Sequence, residues 1–403
     1  MRGFDFQNLG LLLFVAAIVA MLTRRFNVPY SVGLVAAGIG LALVAPGISP
    51  SLTPELIYFI FLPPLVFEAA IQIPWRPFYR EMPLLLALVT VGVVFAAGVV
   101  AAGMHFLSGW SWIGALLFGV LIAATDPVAV IATFKQIAVP RRLHLMVEAE
   151  SLLNDGVAAV GFAILLGVAG GGAVSAGEVS LHLLSTVLGG IAAGAAVAVP
   201  MILIAGRTDD RLVEITLTML IAYGSFLLAE EFDASGVLAT LTAGMIVGNW
   251  GFCGSISDGG KQGVLHHWEY VAFLINSLIF MLIGGREAAT PILLVFEAAG
   301  VATLFSLLGR AVAVYPVMAA FQRTRLRVPW SYQHVLFWGG LRGALALALA
   351  LALPRSIAER DEIIAVAFAV VAFSIFVQGL TMPWLIGKLG LIEGARQPSA
   401  EPG

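Results

Sequence analysis

The hydrophobic positions of the chain form long apolar runs, which prolines, glycines and short clusters of charged residues separate. Runs of about 20 apolar residues are long enough to cross the hydrocarbon core of a membrane as helices. Division of the chain at the breaks predicts about thirteen helices, which begin near Leu9, Pro29, Pro54, Pro83, Trp112, Leu145, Leu181, Leu212, Ser235, Trp268, Pro291, Ser331 and Glu362. The pattern therefore predicts an all-α polytopic membrane protein.

The composition strengthens this prediction and narrows the function classes. Of the 403 residues, 60% are hydrophobic and only 11% are charged, whereas soluble domains carry about 25% charged residues. The net charge of −3 gives no sign of a nucleic-acid partner. The single cysteine excludes an intramolecular disulfide. The sequence carries no Walker motif, zinc-ligand cluster or nucleophile elbow, so it does not favour an enzyme or a resident cofactor.

Lysine and arginine residues test the helix order, because cytoplasmic loops of membrane proteins carry an excess of them. Most of the 21 basic residues fall in every second predicted loop. This bias predicts an outside N-terminus, a cytoplasmic C-terminus and an odd number of helices. Residues 1–390 would form the transmembrane domain, and residues 391–403 are expected to form a short disordered cytoplasmic tail.

Charged side chains also occur inside the predicted helices, where each would cost about 2.5–3.5 kcal/mol near the centre of a membrane. They must therefore be paired, protonated, bound to ions or in contact with water. A set of structural ion pairs is one explanation, but buried pairs seldom improve on an apolar core. The number of charges favours a transport pathway, and the candidates are Glu68, Asp126, Glu150, Asp155, Arg310 and Arg342.

The predicted sixth helix carries the most polar segment of the membrane domain, AESLLNDGVAAV at residues 149–160. Glu150 and Asn154 are four residues apart, as are Ser151 and Asp155, so the two pairs lie on adjoining faces of the helix. One pair can hold a neighbouring helix while the other faces a cavity. Asp155 and Ser151 together offer three oxygens to a small hard cation.

Two of the predicted helices contain sequences that interrupt a helix. In the fifth, Pro127 follows Thr125 and Asp126 and disfavours helical geometry before it, which frees carbonyls such as that of Thr125. In the twelfth, WGGLRG places three glycines around Arg342, whose guanidinium can satisfy free carbonyl ends. The fifth and twelfth helices run in opposite directions, and broken helices at matched places of inverted repeats are typical of secondary transporters.

Six motifs resemble those of monovalent cation:proton antiporters, the sodium/proton antiporters of the NhaP and NHE type. In chain order they are FLPPLVFEAA at 61–70, ATDPVAV at 124–130, AESLLNDGVAAV at 149–160, FMLIG at 280–284, LLGRAVAV at 307–314 and WGGLRGALALALA at 338–350. The resemblance implies an NhaA/NhaP-like fold of thirteen helices in a homodimer, with crossing broken helices five and twelve. A core domain of helices 4–6 and 11–13, about residues 83–170 and 291–388, would move against a dimerisation domain. That domain would comprise helices 1–3 and 8–10, about residues 9–72 and 212–285, with helix seven, about residues 181–205, as the linker.

The resemblance also implies roles for individual residues. Asp155 would bind the cation and the proton in turn, and the Na+ ligands would be Asp155, Ser151 and Thr125. Asp126 and Glu68 would support this site, and Asn154 would steady the unwound stretch near Asp126.

The resemblance implies structural roles for three further charged residues. Glu150 would pair with Arg310 rather than Arg342, and Arg342 would compensate the ends of the broken helices. Family members with Asn before the key Asp resemble electroneutral exchangers, so Asn154 implies one cation per proton.

The sequence therefore predicts a prokaryotic cytoplasmic-membrane antiporter that exchanges Na+ or Li+ for H+ by alternating access. Its partners would be monovalent cations, protons and membrane lipids, with no cofactor. Potassium/proton exchange by the same fold remains open, because residues of the same types coordinate both ions. A cation channel would favour a repeated filter or a charged ring, and neither occurs in the sequence. A membrane enzyme with Asp126 and Asp155 as an aspartyl dyad is a further alternative.

Overall fold

The computed structural model of the chain describes residues 6–26, 28–44, 53–170, 176–289 and 295–392, and all regular structure among these residues is helical. The helices are α1 (Phe6–Phe26), α2 (Tyr30–Val44), α3 (Leu62–Gln72), α4 (Trp75–Ala87), α5 (Val93–Ser108), α6 (Trp112–Leu121), α7 (Val128–Gln136), α8 (Arg141–Ala169), α9 (Ala176–Ala205), α10 (Arg211–Glu231), α11 (Gly236–Asn249), α12 (Asp258–Ala289), α13 (Phe296–Ala320), α14 (Trp330–Trp338), α15 (Ala344–Leu351), α16 (Arg360–Phe373) and α17 (Leu380–Lys388).

Short π-helical segments connect or extend several of these helices. Leu56–Phe61 leads into α3, Leu88–Gly92 joins α4 to α5, and Ser374–Gly379 joins α16 to α17. Within the described residues, eight helices are long and apolar enough to cross a membrane, and three shorter apolar helices accompany them. The chain is thus an all-helical integral membrane protein, while the number of thirteen spanning helices stays a prediction.

Several predicted helix boundaries were wrong by more than a turn. The helix expected near Pro83 begins at Trp75, because a proline near the start of a membrane helix is tolerated without ending it. The helix expected near Trp268 begins at Asp258, since its first turns are polar and carried no hydropathy signal. The predicted linker helix begins at Ala176 rather than near Leu181. The predicted start at Pro291 and most of the predicted tail, residues 393–403, lie outside the described residues.

Both predicted helix interruptions are present. Helix α6 ends at Leu121 and α7 begins at Val128, while α14 ends at Trp338 and α15 begins at Ala344. The segments between these helices, residues 122–127 and 339–343, are called here the first and second interruption. They contact each other directly, because the Asp126 N–H donates to the Leu341 carbonyl at 2.8 Å. The chain therefore brings two non-helical backbone segments together inside an apolar bundle.

A polar contact outside the apolar core holds the start of α6, the first half of an interrupted helix. The Glu359 carboxylate, just before α16, accepts hydrogen bonds from the Ser111 N–H at 2.8 Å and the Ser111 hydroxyl at 3.1 Å. Ser111 is the N-cap of α6. Burial alone would raise the pKa of Glu359, but these hydrogen bonds hold that pKa below its ordinary value. The contact ties the start of α6 to the start of α16.

Candidate functional site

Side chains of α8 bind the free backbone groups of the first interruption. The Asn154 amide donates to the Ala123 carbonyl at 2.8 Å and to the Thr125 hydroxyl at 3.1 Å. The Ser151 hydroxyl donates to the Thr125 carbonyl, and the Thr125 hydroxyl donates to Ser151 at 3.3 Å. All three side chains are buried. Because a helix end leaves carbonyls unsatisfied, these bonds are what allow α6 to end inside the bundle.

Two oxygens on α8 have no such partner. Asp155 Oδ1 and Asn154 Oδ1 are buried and accept no hydrogen bond from any described residue. A buried acceptor without a donor is costly, and a buried carboxylate oxygen more so, unless a proton or a cation satisfies it. Asp155 therefore has the environment of a group that binds a small positive ligand.

Asp155 lies on a cavity of about 870 Å³, which five of the six predicted ion- and proton-binding residues line: Asp155, Asp126, Thr125, Ser151 and Glu68. The sixth, Asn154, faces the first interruption instead. Glu68 stands on α3 and accepts a hydrogen bond from Gln72 at 2.6 Å. Residues of α1, α3 and α12 form a further part of the cavity wall. The tertiary structure thus brings these five predicted residues to the lining of a single cavity.

Several cavity residues had no assigned role in the sequence analysis. Exposed Arg24, His266 and Glu269 line the cavity together with the more deeply buried Glu148. Glu148 precedes Ser151 by one turn of α8, so its position could be found from the sequence. His266 and Glu269 could not be found in this way, because they lie on α12, which packs across the cavity only in the tertiary structure.

Asp126 is the second carboxylate of the cavity and also caps a helix. Its Oδ1 accepts a hydrogen bond from the Val128 N–H at 2.9 Å, which satisfies one of the free donors at the start of α7. Gly343 of the second interruption lies directly against the Asp126 side chain, so that a Cβ at Gly343 would overlap the carboxylate. The position of the Asp126 side chain is therefore fixed by its bond to the start of α7 and by its contact with the second interruption.

Replacement of Gly343 by alanine is expected to lower cation exchange at least about tenfold, since overpacking at a closed site costs about 1–3 kcal/mol and would displace Asp126. The measurement is the initial exchange rate per amount of folded protein in liposomes. Gly98→Ala is the matched control, because a Cβ there meets nothing within 4 Å. A wild-type rate in Gly343→Ala would show that the position of Asp126 is unimportant.

A buried ion pair joins α8 to α13. Glu150 Oε1 and Oε2 accept hydrogen bonds from Arg310 Nη1 at 2.7 Å and Nη2 at 2.8 Å. This is the pairing that the resemblance implied. Arg310 Nη2 also donates to the Leu336 carbonyl at 2.7 Å, near the end of α14. The pair thus fixes α8 against α13. Arg310 also satisfies a backbone carbonyl of α14, the helix that leads into the second interruption.

Arg342 has a different environment from Arg310. Its Nη1 donates to the Ala124 carbonyl at 3.3 Å and its Nη2 donates to the Ser306 hydroxyl at 3.1 Å. Among the described residues, no carboxylate forms an ion pair with it. Arg342 therefore places its charge beside the free carbonyls of the first interruption, on the opposite broken helix from its own. Ser306 was not predicted, since a single serine in an apolar helix carries no distinguishing signal.

Comparisons with known proteins identify the family of the chain. A family model described as sodium/hydrogen exchanger, transmembrane, matches residues 10–388. The Na(+)/H(+) antiporter ApNhaP of Aphanothece halophytica is 38% identical over 91% of this chain and 70% of its own length. The low-affinity Na(+)/H(+) antiporter NhaS1 of Synechocystis is 36% identical over 97% of this chain and 76% of its own length.

A solved structure supports the fold. The sodium proton antiporter MjNhaP1 from Methanocaldococcus jannaschii, at pH 8, superposes with a TM-score of 0.76 and 20% identity, over 95% of this chain and 98% of that one. The extent of the family match, together with relatives above 30% identity over most of their length, shows that this chain belongs to the sodium/hydrogen exchanger family.

Proposed function

We propose that this protein is a Na+/H+ antiporter in which one Na+ and one proton compete for Asp155. The observation that carries the proposal is the buried, unpartnered Asp155 Oδ1 on a large cavity, beside the Thr125 and Ser151 oxygens. Oxygen ligands suit a hard monovalent cation. Relatives named as Na(+)/H(+) antiporters at 30–38% identity favour Na+ over K+.

The charges around the site support one-for-one exchange. Glu150 and Arg310 neutralise each other, and Arg342 offsets one of the two carboxylates Asp126 and Asp155. These five charges sum to −1, which either a single Na+ or a single proton neutralises. A neutral site can cross between the two membrane faces at low cost, whereas the bare charged site cannot. This asymmetry couples the two fluxes without ATP or a cofactor.

Alternating access would follow from the cavity's position between two groups of helices. We assign the core domain to about residues 83–170 and 291–388, which carry both interruptions and α8. The wall formed by α1, α3 and α12 would belong to a dimerisation domain, about residues 9–72 and 212–285, in a homodimer. Exposed Arg24 at the cavity agrees with a cytoplasmic opening under the basic-loop bias. The N-terminus would then lie outside and the C-terminus in the cytoplasm of a prokaryotic cell.

Transport in proteoliposomes tests this proposal. Purified protein is reconstituted with a lumenal pH dye and an imposed proton gradient, and NaCl, LiCl or KCl is added while valinomycin and K+ set the voltage. We expect dye recovery with Na+ and Li+ that voltage does not change, because the exchanged charges are equal. Recovery with K+ alone would replace Na+ by K+ as the substrate, and voltage-driven recovery would contradict the one-for-one stoichiometry.

A further inference from the structure

The π-helical segment Ser374–Gly379 contacts the second interruption through two buried side chains. The Ser374 hydroxyl accepts a hydrogen bond from the Arg342 N–H at 3.1 Å. The Gln378 amide donates to the carbonyl of Trp338, the last residue of α14, at 3.0 Å. Ser374 is 1% exposed and Gln378 is 3% exposed. Both side chains therefore act on backbone groups that the interruption leaves free.

These contacts repeat, in the second half of the chain, what α8 does in the first. On α8, Ser151 binds the Thr125 carbonyl and the amide of Asn154 binds the Ala123 carbonyl just after α6 ends. In each half a serine and a side-chain amide, about one turn apart, hold the free groups of an interrupted helix. The spacing is three residues on α8 and four on Ser374–Gly379, where π-helical turns accommodate an additional residue.

The two halves differ in the charge that they place at the interruption. The first interruption carries Asp126, whereas the second carries Arg342, and the two segments are joined by the bond from the Asp126 N–H to the Leu341 carbonyl. Arg342 Nη1 also donates to the Ala124 carbonyl. The position of residues 339–343 therefore determines where Asp126 and the carbonyls beside Thr125 lie.

We propose that Ser374 and Gln378 are positioning residues of the exchange site. They hold the second interruption at its two ends, and through it they hold Asp126 and Arg342 at the distances that cation binding requires. This inference rests on the proposed Na+/H+ exchange at Asp155. It gives the π-helical segment a role, in agreement with the frequent occurrence of π-helical turns at functional sites.

The physical consequence of losing either side chain is a misplaced site. Without Gln378 the Trp338 carbonyl would be buried without a donor, and without the Ser374 hydroxyl the Arg342 N–H would lose its acceptor. The interruption would relax to satisfy these groups, since a buried unsatisfied polar group is costly. Asp126 and the Ala124 carbonyl would move with it, so the site would bind Na+ more weakly and respond to protons over a different pH range.

The test compares Gln378→Met and Ser374→Ala with wild-type protein in proteoliposomes. We expect the apparent KM for Na+ to rise on the order of tenfold, and the pH profile of the exchange rate to shift. Thr381→Val is the matched control, because Thr381 accepts a hydrogen bond from the Trp338 ring nitrogen at 2.8 Å and leaves the backbone of the interruption alone. Ser374→Thr keeps the hydroxyl and is expected to restore the wild-type KM.

Each outcome decides the inference. If the variants yield less folded protein but that protein keeps the wild-type KM and pH profile, the two residues are only structural and the inference is wrong. Ser374→Ala, which removes a single oxygen, decides the question if Gln378→Met does not fold. A wild-type protein without Na+-dependent exchange would instead overturn the proposed function, so the two failures are distinguishable.

Discussion

Replacement of Asp155 by asparagine is expected to abolish Na+/H+ exchange, with a loss of at least about a hundredfold in the initial rate. The amide keeps the shape of the carboxylate but can neither release a proton at working pH nor supply the negative charge that holds Na+. The measurement is Na+-dependent recovery of the lumenal pH dye. The Asp155 carboxylate has a buried oxygen without a described partner, and this is the oxygen that we expect Na+ or a proton to satisfy.

A binding measurement separates loss of the site from loss of the fold. Na+ that binds the native state stabilises it by RT ln(1 + [Na+]/Kd), so the wild-type unfolding temperature should rise with added NaCl at constant ionic strength. Asp155→Asn should fold and keep an unfolding temperature at least as high as that of wild type without Na+, because it removes an unpaired buried charge. It should not respond to Na+. Exchange in a well-folded Asp155→Asn protein would refute the assignment.

Disruption of the Glu150–Arg310 pair is expected to have the largest effect on stability. Removal of one partner leaves the other buried and uncompensated, which costs about 3–5 kcal/mol. Arg310→Met and Glu150→Gln should therefore each lower the unfolding temperature strongly. The double variant should lose less stability than the two single variants lose together, because it leaves no unpaired charge. The unfolding temperatures of all three proteins are measured by thermal unfolding in detergent.

The pair between Arg142 and Glu81 provides the matched comparison. It has the same bidentate geometry, with distances of 2.8 and 2.9 Å, but the Arg142 side chain is 34% exposed, against 7% for Arg310. Water can solvate Arg142 after its partner is lost, so Glu81→Gln should destabilise the protein much less than Glu150→Gln. Equal losses at the two pairs would mean that burial does not determine the contribution of Glu150 and Arg310.

Local sequence was sufficient to predict the two interruptions, but it was insufficient to predict several helix boundaries. Pro127 and the glycines around Arg342 act on their own backbone, so both breaks could be predicted without knowledge of any neighbour. The start of α12 at Asp258 could not, because its polar first turns resemble a loop in hydropathy. The start of α4 at Trp75 could not be predicted either, because a proline such as Pro83 usually indicates a helix start, whereas α4 continues through it.

The sequence by itself determined the class of the protein and predicted the residues that are proposed to carry its chemistry. Apolar runs of spanning length require a membrane, and carboxylates within them require partners, ions or water whatever the fold. The motifs around Asp155 and Asp126 then indicated cation and proton exchange, and the family match agrees with that class.

Only the tertiary structure decided which groups meet. The contact of Arg342 with Ala124, the bond from Gln378 to Trp338 and the position of Glu269 on the cavity each depend on how distant helices are rotated and packed. Helices that are apolar on every side carry no periodic pattern that fixes this rotation. It is set by close packing and by the need to satisfy each buried polar group, and these conditions act between residues far apart in the chain.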